Sequence, residues 1–206
     1  MITIIKGKDI DQFASDMEAA WKLRHQVFVE EKQWMDLDKP DKREIDQFDD
    51  ENALHMLAWD NDELIGYQRL LPTTSPNLLS DVYPQLCEGE LPKSPAVWEW
   101  TRYAVKKEHR ARGRMLSPVA NHLLSAIVEW GLEHEVSSVV IEMNPLWMLR
   151  LVQLHFRVVP LGICQSMEGE EVLAVQAHFD RRALDKLQEV RGNTLSVLTN
   201  EQSIAS

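Results

Sequence analysis

The chain has 206 residues, with 33 acidic and 22 basic side chains and a formal net charge of −11. Its composition, 44% hydrophobic and 27% charged, is that of an ordinary globular protein and excludes wholesale disorder. The negative balance argues against a dedicated nucleic-acid binder, which needs clustered lysine and arginine. We expect residues 1–190 to form one domain and residues 191–206 to form a polar C-terminal tail.

Cysteine usage and hydropathy predict a cytoplasmic protein. Cys87 and Cys164 lie far apart and outside any metal-binding or nucleophile motif. This predicts a reducing compartment and no bound metal. The apolar run at the start is too short for a signal peptide, and no stretch approaches the ~20 apolar residues of a membrane span.

Hydrophobic periodicity predicts a mixture of strands and helices. The predicted strands span residues 1–6, 53–60, 63–71, 96–105, 136–143, 156–163 and 172–178. The predicted helices span residues 10–31, 116–133, 145–155 and 181–190, with a short helix within 73–84. Residues 32–51 are polar and predict an irregular loop. This order favours an α/β (α+β) fold with a mixed central sheet flanked by helices.

A first candidate site combines the long helix with the loop that follows it. Arg24 and Phe28 lie four residues apart on one helix face, and Trp34 follows the helix. Asp46 and Asp49 lie in the loop. Aromatic rings attract a cation and carboxylates accept hydrogen bonds from an ammonium group, so the set suits a cationic ligand. Alternatively, the rings belong to the core and the aspartates to a solvated loop.

Two charged residues lie inside predicted strands. Glu99 stands between two tryptophans, and partial burial would raise its pKa towards neutrality, as a general base requires. A structural ion pair with an arginine is the alternative for Glu99. Arg69 lies among apolar residues and needs a carboxylate partner if it is buried, which Asp46 or Asp49 could supply.

Positive charge is concentrated in residues 102–114, which hold six basic side chains and one acidic one, whereas residues 1–65 hold 17 acidic and 8 basic ones. A basic, glycine-containing turn before a helix suits a phosphate group. The spacing Arg110-x-x-Gly113-x-Met115 resembles the acyl-CoA turn of GNAT acyltransferases, with methionine replacing the last small residue. A basic surface turn is the alternative. The candidate residues for a donor phosphate or an acyl carrier are Lys106, Lys107, Arg110, Arg112, Gly113 and Arg114.

Together these residues resemble the acyl-homoserine-lactone synthase (autoinducer synthase) family. The family pattern is Arg-x3-Phe-x5-Trp, then Asp-x2-Asp, a strand arginine and Glu-x2-Arg. Its order and spacing are kept by Arg24, Phe28, Trp34, Asp46, Asp49, Arg69, Glu99 and Arg102. The resemblance covers residues 1 to about 185 and implies a GNAT-like fold. It also implies transfer of an acyl group from acyl carrier protein or coenzyme A to the amine of S-adenosylmethionine, with lactone closure and release of methylthioadenosine. This reaction makes a quorum-sensing signal.

The resemblance implies roles for individual residues. Glu99 is expected to take the amine proton, and backbone N–H groups near Tyr103 and Val105 are expected to stabilise the oxyanion. The expected S-adenosylmethionine ligands are Arg24, Phe28, Trp34, Asp46, Asp49, Arg69 and Arg102. The expected acyl-pocket residues are Trp98, Trp100, Ile141, Met143, Trp147, Met148 and Leu151.

The same resemblance bears on the substrates. Ile141 stands where 3-oxo-acyl producers often carry a threonine, which favours an unsubstituted chain that is short, branched or aromatic. S-adenosylmethionine and the acyl thioester are expected as substrates, with no permanently bound cofactor. The rival hypothesis is a GNAT acyltransferase acting on another amine, which would release no methylthioadenosine.

Overall fold

A computed structural model describes residues 1–111, 116–167 and 169–199. In these ranges the α-helices are α1 (Ala14–Arg24), α2 (Leu78–Asp81), α3 (Pro118–Glu133), α4 (Met148–Gln153) and α5 (Arg181–Arg191). The strands are β1 (Ile2–Lys6), β2 (Leu54–Asp60), β3 (Glu63–Pro72), β4 (Val97–Val105), β5 (Ser138–Met143), β6 (Arg157–Pro160), β7 (Gln165–Met167) and β8 (Glu170–His178). Across the described chain, none of the helices has the length and apolar character needed to cross a membrane.

The chain divides into two compact units. Unit 1 comprises Met1–Arg69, Arg102–Ala126 and the described residues from Leu195 onward. Unit 2 comprises Leu70–Thr101 and Ile127–Thr194. The strands β3 and β4 and the helix α3 each contribute residues to both units.

Unit 1 contains strands in the order β1-β2-β3-β4. β1 and β2 are antiparallel, with Ile2 opposite Ala58. The residues after α5 join this sheet edge, because the Ile2 N–H donates to the Val197 carbonyl at 2.8 Å and the Thr199 N–H donates to the Ile2 carbonyl at 2.9 Å. The buried apolar cluster of this unit consists of Ile5, Met17, Ala20, Leu23, Val27, Phe28, Leu57, Leu64, Tyr67 and Ala104.

The predicted helix 10–31 consists of three consecutive segments: a 3₁₀ helix (Gly7–Phe13), α1, and a π-helix (His25–Glu31). The π segment contains two β-branched valines, which weaken the preference for a regular α-helix. Gln33 then adopts a left-handed φ of 62° and the helical run stops. The Trp34 N–H donates to the Phe28 carbonyl at 3.0 Å, so the widened turn fixes the two aromatic residues relative to each other.

Unit 2 contains the parallel part of the sheet. β4 and β5 pair from Val97 opposite Ser138 to Glu99 opposite Val140. β5 is antiparallel to β8, which also pairs with β6 and β7. Parallel and antiparallel pairs together confirm the predicted mixed sheet, whereas β7 was missing from the prediction. The buried apolar cluster of this unit consists of Leu79, Leu86, Val97, Val140 and Ala174.

Gly131, in α3, permits a close approach within unit 2. A Cβ atom at this position would lie 2.6 Å from two ring carbons of Phe179 and 3.1 Å from the Val136 carbonyl oxygen. The Phe179 ring is buried and meets Phe156 edge-to-face at 6.0 Å, so it has little room to move.

Gly131→Ala is therefore expected to lower the free energy of unfolding by about 1–3 kcal/mol through overpacking. Helix preference alone predicts the opposite, a gain of about 1 kcal/mol. Denaturant unfolding decides between the two effects. Gly89→Ala is the control, since a Cβ there meets no atom within 4 Å. Equal or greater stability of Gly131→Ala would contradict the packing argument.

Candidate active site

Buried arginines and carboxylates form an ion-pair network in unit 1. The Arg24 Nε donates to Glu44 Oε2 at 2.6 Å, and its two terminal nitrogens donate to Asp49 at 2.7 and 2.9 Å. The Arg69 Nη1 bridges Asp46 and Asp49, at 2.6 and 2.8 Å. Both predicted carboxylate partners of Arg69 are therefore confirmed by the geometry.

Arg102 joins this network from β4. Its Nη2 lies 2.7 Å from Asp46 Oδ2, and its Nε donates to Glu44 Oε2 at 3.1 Å. Its φ of 55° interrupts the regular alternation of side chains along the strand. Glu44, which binds both Arg24 and Arg102, was missed by the sequence analysis. The signal available was its position two residues before Asp46 in an otherwise polar loop.

The network has a buried interior and an accessible edge. The side chains of Arg24 and Arg69 are fully buried and Asp49 is almost so, whereas Asp46 and Arg102 keep 15% and 10% of their side-chain surface exposed. The interior residues bind one another and hold the loop in place. Within this network, Asp46 and Arg102 are the members with side-chain surface that a ligand could reach.

An aromatic pair accompanies this edge. The Phe28 and Trp34 rings stack with centroids 5.3 Å apart and planes at 14°. The Lys32 ammonium lies 4.6 Å from the Trp34 centroid and 5.5 Å from that of Phe28, and the Arg102 guanidinium carbon lies 5.7 Å from Phe28. Phe28 is also a core residue. The pair thus attracts positive charge within the protein itself.

A neutral pair lies against the buried side of the network. The His55 Nδ1 is 2.7 Å from the Tyr67 hydroxyl, which accepts a hydrogen bond from Arg24 Nη1 at 3.4 Å. Burial raises the pKa of Tyr67 and lowers the pKa of His55 to about 4. Both side chains are therefore uncharged at neutral pH.

The carboxylates of the network, unlike His55 and Tyr67, are charged at neutral pH. Burial opposes the ionisation of Glu44, Asp46 and Asp49, but the neighbouring arginines outweigh it and hold each pKa below its usual value. Arg24 is the strongest of these neighbours for Glu44 and Asp49, and Arg69 for Asp46. All three groups are ionised at neutral pH, so they balance the three arginines.

These shifts predict acid sensitivity. Each carboxyl has a lower pKa in the folded protein, so it stabilises the fold above the unfolded-chain value of about 4 and loses that contribution below it. His55 stays neutral in the fold, so stability already declines below its unfolded pKa of about 6.5. Denaturant unfolding over a series of pH values should therefore show a moderate decline followed by a steep one. Constant stability down to acid pH would contradict the network.

Glu44→Gln should lower the free energy of unfolding at neutral pH by about 3–5 kcal/mol, because it leaves two arginines short of a carboxylate. It should also flatten the acid decline. The matched control is Glu18→Gln, which removes surface ion pairs with Lys22 and Arg43 and should change stability little. Equal effects of the two substitutions would show that burial of the network contributes nothing.

Glu99 is fully buried in unit 2, and its carboxylate is anchored by the start of α2. The Leu78 N–H donates to Oε2 at 2.8 Å and the Leu79 N–H donates to Oε1 at 2.6 Å. Asn77 caps α2 by accepting from the Ser80 N–H at 3.0 Å, which fixes the orientation of the donors. The interaction partners of Glu99 thus include backbone N–H groups.

The predicted acyl-pocket residues of β4 and β5 lie on the other face of the strand pair. Glu99 is opposite Val140, so alternation turns Trp98, Trp100 and Ile141 away from Glu99, together with Met143. Trp98 meets Trp130 of α3 edge-to-face at 4.8 Å. These residues and Glu99 do not share one face of this strand pair. In and beside α4, Trp147 is half exposed, Met148 is partly buried and Leu151 is buried.

The described part of the basic run is partly neutralised within unit 1. Lys106 pairs with Glu63, and the Arg110 Nη1 lies 2.6 Å from Glu31. Lys107 is exposed. The remaining predicted donor-binding residues lie outside the described residues: Arg112, Gly113 and Arg114.

The predicted oxyanion segment lies at the end of β4. Burial raises the pKa of the Tyr103 hydroxyl. The Val105 carbonyl accepts a hydrogen bond from Arg110 Nε at 2.8 Å. The role of the backbone N–H groups near Tyr103 and Val105 stays a prediction.

Comparison with known proteins agrees with the resemblance. The family model described as "Autoinducer synthase" matches residues 4–187. The isovaleryl-homoserine lactone synthase of Bradyrhizobium diazoefficiens is 33% identical over 190 residues, which are 92% of this chain and 84% of that protein. The acyl-homoserine-lactone synthase of Acinetobacter nosocomialis is 34% identical over 172 residues, which are 80% of this chain and 93% of that protein.

A solved structure extends this likeness to the fold. It is a CoA-dependent acyl-homoserine lactone synthase with SAM and isopentyl-CoA, and it superposes with a TM-score of 0.89 at 32% identity. The match covers 97% of this chain and 92% of that one, which confirms the predicted GNAT-like α/β fold. The chain belongs to the autoinducer synthase family, the acyl-homoserine-lactone synthases.

Proposed function

We propose that this synthase binds S-adenosylmethionine at the accessible edge of the unit 1 network, uses Glu99 as general base, and takes a short branched acyl group from coenzyme A. The products are the acyl-homoserine lactone, methylthioadenosine and the free thiol. The observation that carries the proposal is the Phe28–Trp34 pair with an ammonium group 4.6 Å from the Trp34 centroid.

The charges of the substrate match the groups of this edge. S-adenosylmethionine carries a sulfonium, an ammonium and a carboxylate. The aromatic pair suits the sulfonium, since its rings already attract Lys32. The Arg102 guanidinium suits the carboxylate and the Asp46 carboxylate suits the ammonium.

The buried members of the network have a supporting role in this proposal. Arg24 and Arg69 are fully buried and bound to carboxylates, so they hold Asp46 and Arg102 in position without contacting the substrate. Asp49 links the two arginines at 2.7 and 2.8 Å. Because the bridging groups are ionised and buried, the edge is rigid before the substrate arrives.

Glu99 carries the acyl-transfer step. The substrate ammonium first loses a proton to water, and the neutral amine attacks the thioester carbonyl to form a C–N bond. Glu99 accepts a second proton from nitrogen as the tetrahedral intermediate collapses, which leaves the amide N–H in place. The C–S bond of the thioester breaks, its electron pair leaves with sulfur, and the thiolate takes the proton from Glu99, which restores the base. The two N–H bonds from Leu78 and Leu79 support this role because they hold the carboxylate in one orientation.

Lactone closure needs no further protein nucleophile. A carboxylate oxygen of the substrate attacks its own γ-carbon, and the bond from that carbon to the sulfonium sulfur breaks. The electron pair goes to sulfur, so methylthioadenosine leaves as a neutral molecule. Loss of the positive charge weakens the attraction to the Phe28–Trp34 pair, which favours product release.

Two observations favour coenzyme A as carrier and a short branched chain. The solved structure with a TM-score of 0.89 is a CoA-dependent synthase with isopentyl-CoA, and the Bradyrhizobium relative is an isovaleryl-homoserine lactone synthase. Assays with matched acyl-CoA and acyl carrier protein thioesters, read by methylthioadenosine release, distinguish the donors. A preference for acyl carrier protein thioesters would overturn the proposed coenzyme A donor.

We also propose a cytoplasmic location for the protein. The free Cys87 and Cys164 support it, because thiols stay reduced in that compartment.

Glu99→Gln should reduce methylthioadenosine release by about 10²-fold or more, because glutamine cannot accept the proton. Binding of S-adenosylmethionine should remain within about twofold, since the proposed binding edge belongs to unit 1. Stopped assays with isovaleryl-CoA and calorimetric titration measure the two quantities.

Glu90→Gln is the control for this substitution, an exposed glutamate of the same unit. Thermal unfolding of each variant separates lost chemistry from lost structure, because the Glu99 side chain also anchors α2. A folded Glu99→Gln protein with undiminished turnover would exclude Glu99 as the base.

Lys32→Met should strengthen S-adenosylmethionine binding by about two- to fivefold, because the sulfonium no longer displaces an ammonium from the aromatic pair. Binding of neutral methylthioadenosine should change less. Trp34→Ala should weaken S-adenosylmethionine binding. Lys8→Met, another exposed lysine of unit 1, is the control. Equal changes for the charged and the neutral ligand would contradict a cation site at the pair.

A further inference from the structure

Glu142 of β5 is a second carboxyl group on the Glu99 face of unit 2. The pairing of β4 with β5 ends at Glu99 opposite Val140, and Glu142 follows Val140 by two residues. Side chains alternate along a strand, so Glu142 points to the same face as Val140 and Glu99. The Glu142 Oε1 is buried, and no described residue forms a hydrogen bond with it.

The surroundings of this second carboxyl are apolar. Ala174 lies opposite it on β8, and the same face carries the apolar cluster of unit 2. Glu99 faces this region from β4, and Tyr83 packs against the cluster. A backbone hydrogen bond of Glu142 itself favours the charged form, but the burial of Oε1 without a donor among the described residues opposes it. Burial, and next the charge of Glu99, raises the pKa of Glu142 well above its ordinary value.

The two carboxyl groups differ in which form their surroundings favour. Both Glu99 oxygens accept a backbone N–H, at 2.6 and 2.8 Å, which stabilises a negative charge on that group. Glu142 Oε1 receives no such bond from the described residues. A proton shared by the pair therefore resides on Glu142.

We propose that Glu99 and Glu142 form a carboxyl pair with one proton at neutral pH, carried by Glu142, and that loss of this proton sets the alkaline limit of the enzyme. Glu142 is then a positioning residue that leaves a single negative charge at the base. A second negative charge beside Glu99 would disfavour the developing oxyanion, so the turnover number falls when Glu142 ionises. This activity claim rests on the proposed function, whereas the proton's location does not.

The titration of Glu142 tests the pair independently of activity. Glutamate labelled with ¹³C at the side-chain carboxyl gives one resonance per glutamate by NMR, and its absence in Glu142→Gln identifies Glu142. Its midpoint should lie well above the ordinary value of about 4.3 and should fall in Glu99→Gln, where the neighbouring charge is removed. An ordinary midpoint, or the same midpoint in both proteins, would overturn the proposal.

Enzyme kinetics test the second claim of the proposal, that ionisation of Glu142 sets the alkaline limit of activity. Glu142→Gln keeps a neutral group of similar size that cannot ionise, so its turnover number, relative to its own value at neutral pH, should stay level as the pH rises. One pH unit above the wild-type alkaline midpoint, the wild type should have lost about tenfold in turnover, and Glu142→Gln should not. Glu170→Gln on β8 is the exposed control. An unchanged alkaline limb in Glu142→Gln would overturn the kinetic role.

These outcomes are distinguishable from failure of the proposed function. If the wild type releases no methylthioadenosine with any thioester, the synthase chemistry fails while the NMR titration still decides the pair. If Glu142→Gln unfolds, the titration of wild type against Glu99→Gln still gives the coupling. Thermal unfolding is a further check, since replacing a carboxyl whose pKa is raised by folding should stabilise the protein at neutral pH.

Discussion

The network of Arg24, Arg69 and Arg102 with Glu44, Asp46 and Asp49 is the constraint on which unit 1 depends. Such burial of charge contributes little net stability, because the desolvation of each ion offsets its attraction to the others. Its effect is geometric. Arg24 anchors both ends of a loop segment by binding Glu44 and Asp49 at once. A polar loop that cannot form its own core thereby takes one conformation, and its accessible edge is fixed.

The sequence indicated which residues come together in this network where spacing carries the information. The interval from Arg24 to Phe28 is one helical turn, and the resemblance grouped the arginines with Asp46 and Asp49. It did not separate buried from accessible members, because exposure depends on how the loop folds back onto α1. Nor did it identify Glu44, whose role becomes visible when Arg24 and Arg102 converge on it. The strands around the site were predicted more readily, since alternation and turns are local signals.

The predicted acyl-pocket residues of β4 and β5 lie on the face opposite Glu99. Strand alternation already indicates this for Trp98 and Trp100, whereas no local pattern reveals it for Ile141. The face occupied by Ile141 relative to Glu99 is set by the register of β4 against β5, and a shift of one residue would reverse it. The sequence also gave no sign that Glu99 would cap α2. Leu78 and Leu79 contribute only backbone N–H groups to that contact, and these leave no mark on residue identity.

The two units use opposite means of keeping buried carboxyl groups. In unit 1 the arginines lower the pKa values of Asp46, Asp49 and Glu44, and such carboxylates are poor proton acceptors. They are suited to binding and to holding a loop. In unit 2 the charge of Glu99 is supported by neutral N–H dipoles, and the neighbouring Glu142 has a raised pKa. A general base must hold charge yet accept a proton, and neutral N–H dipoles oppose its protonation less than a guanidinium does. In the proposed mechanism the chemistry therefore belongs to Glu99, and the arginine network serves substrate binding.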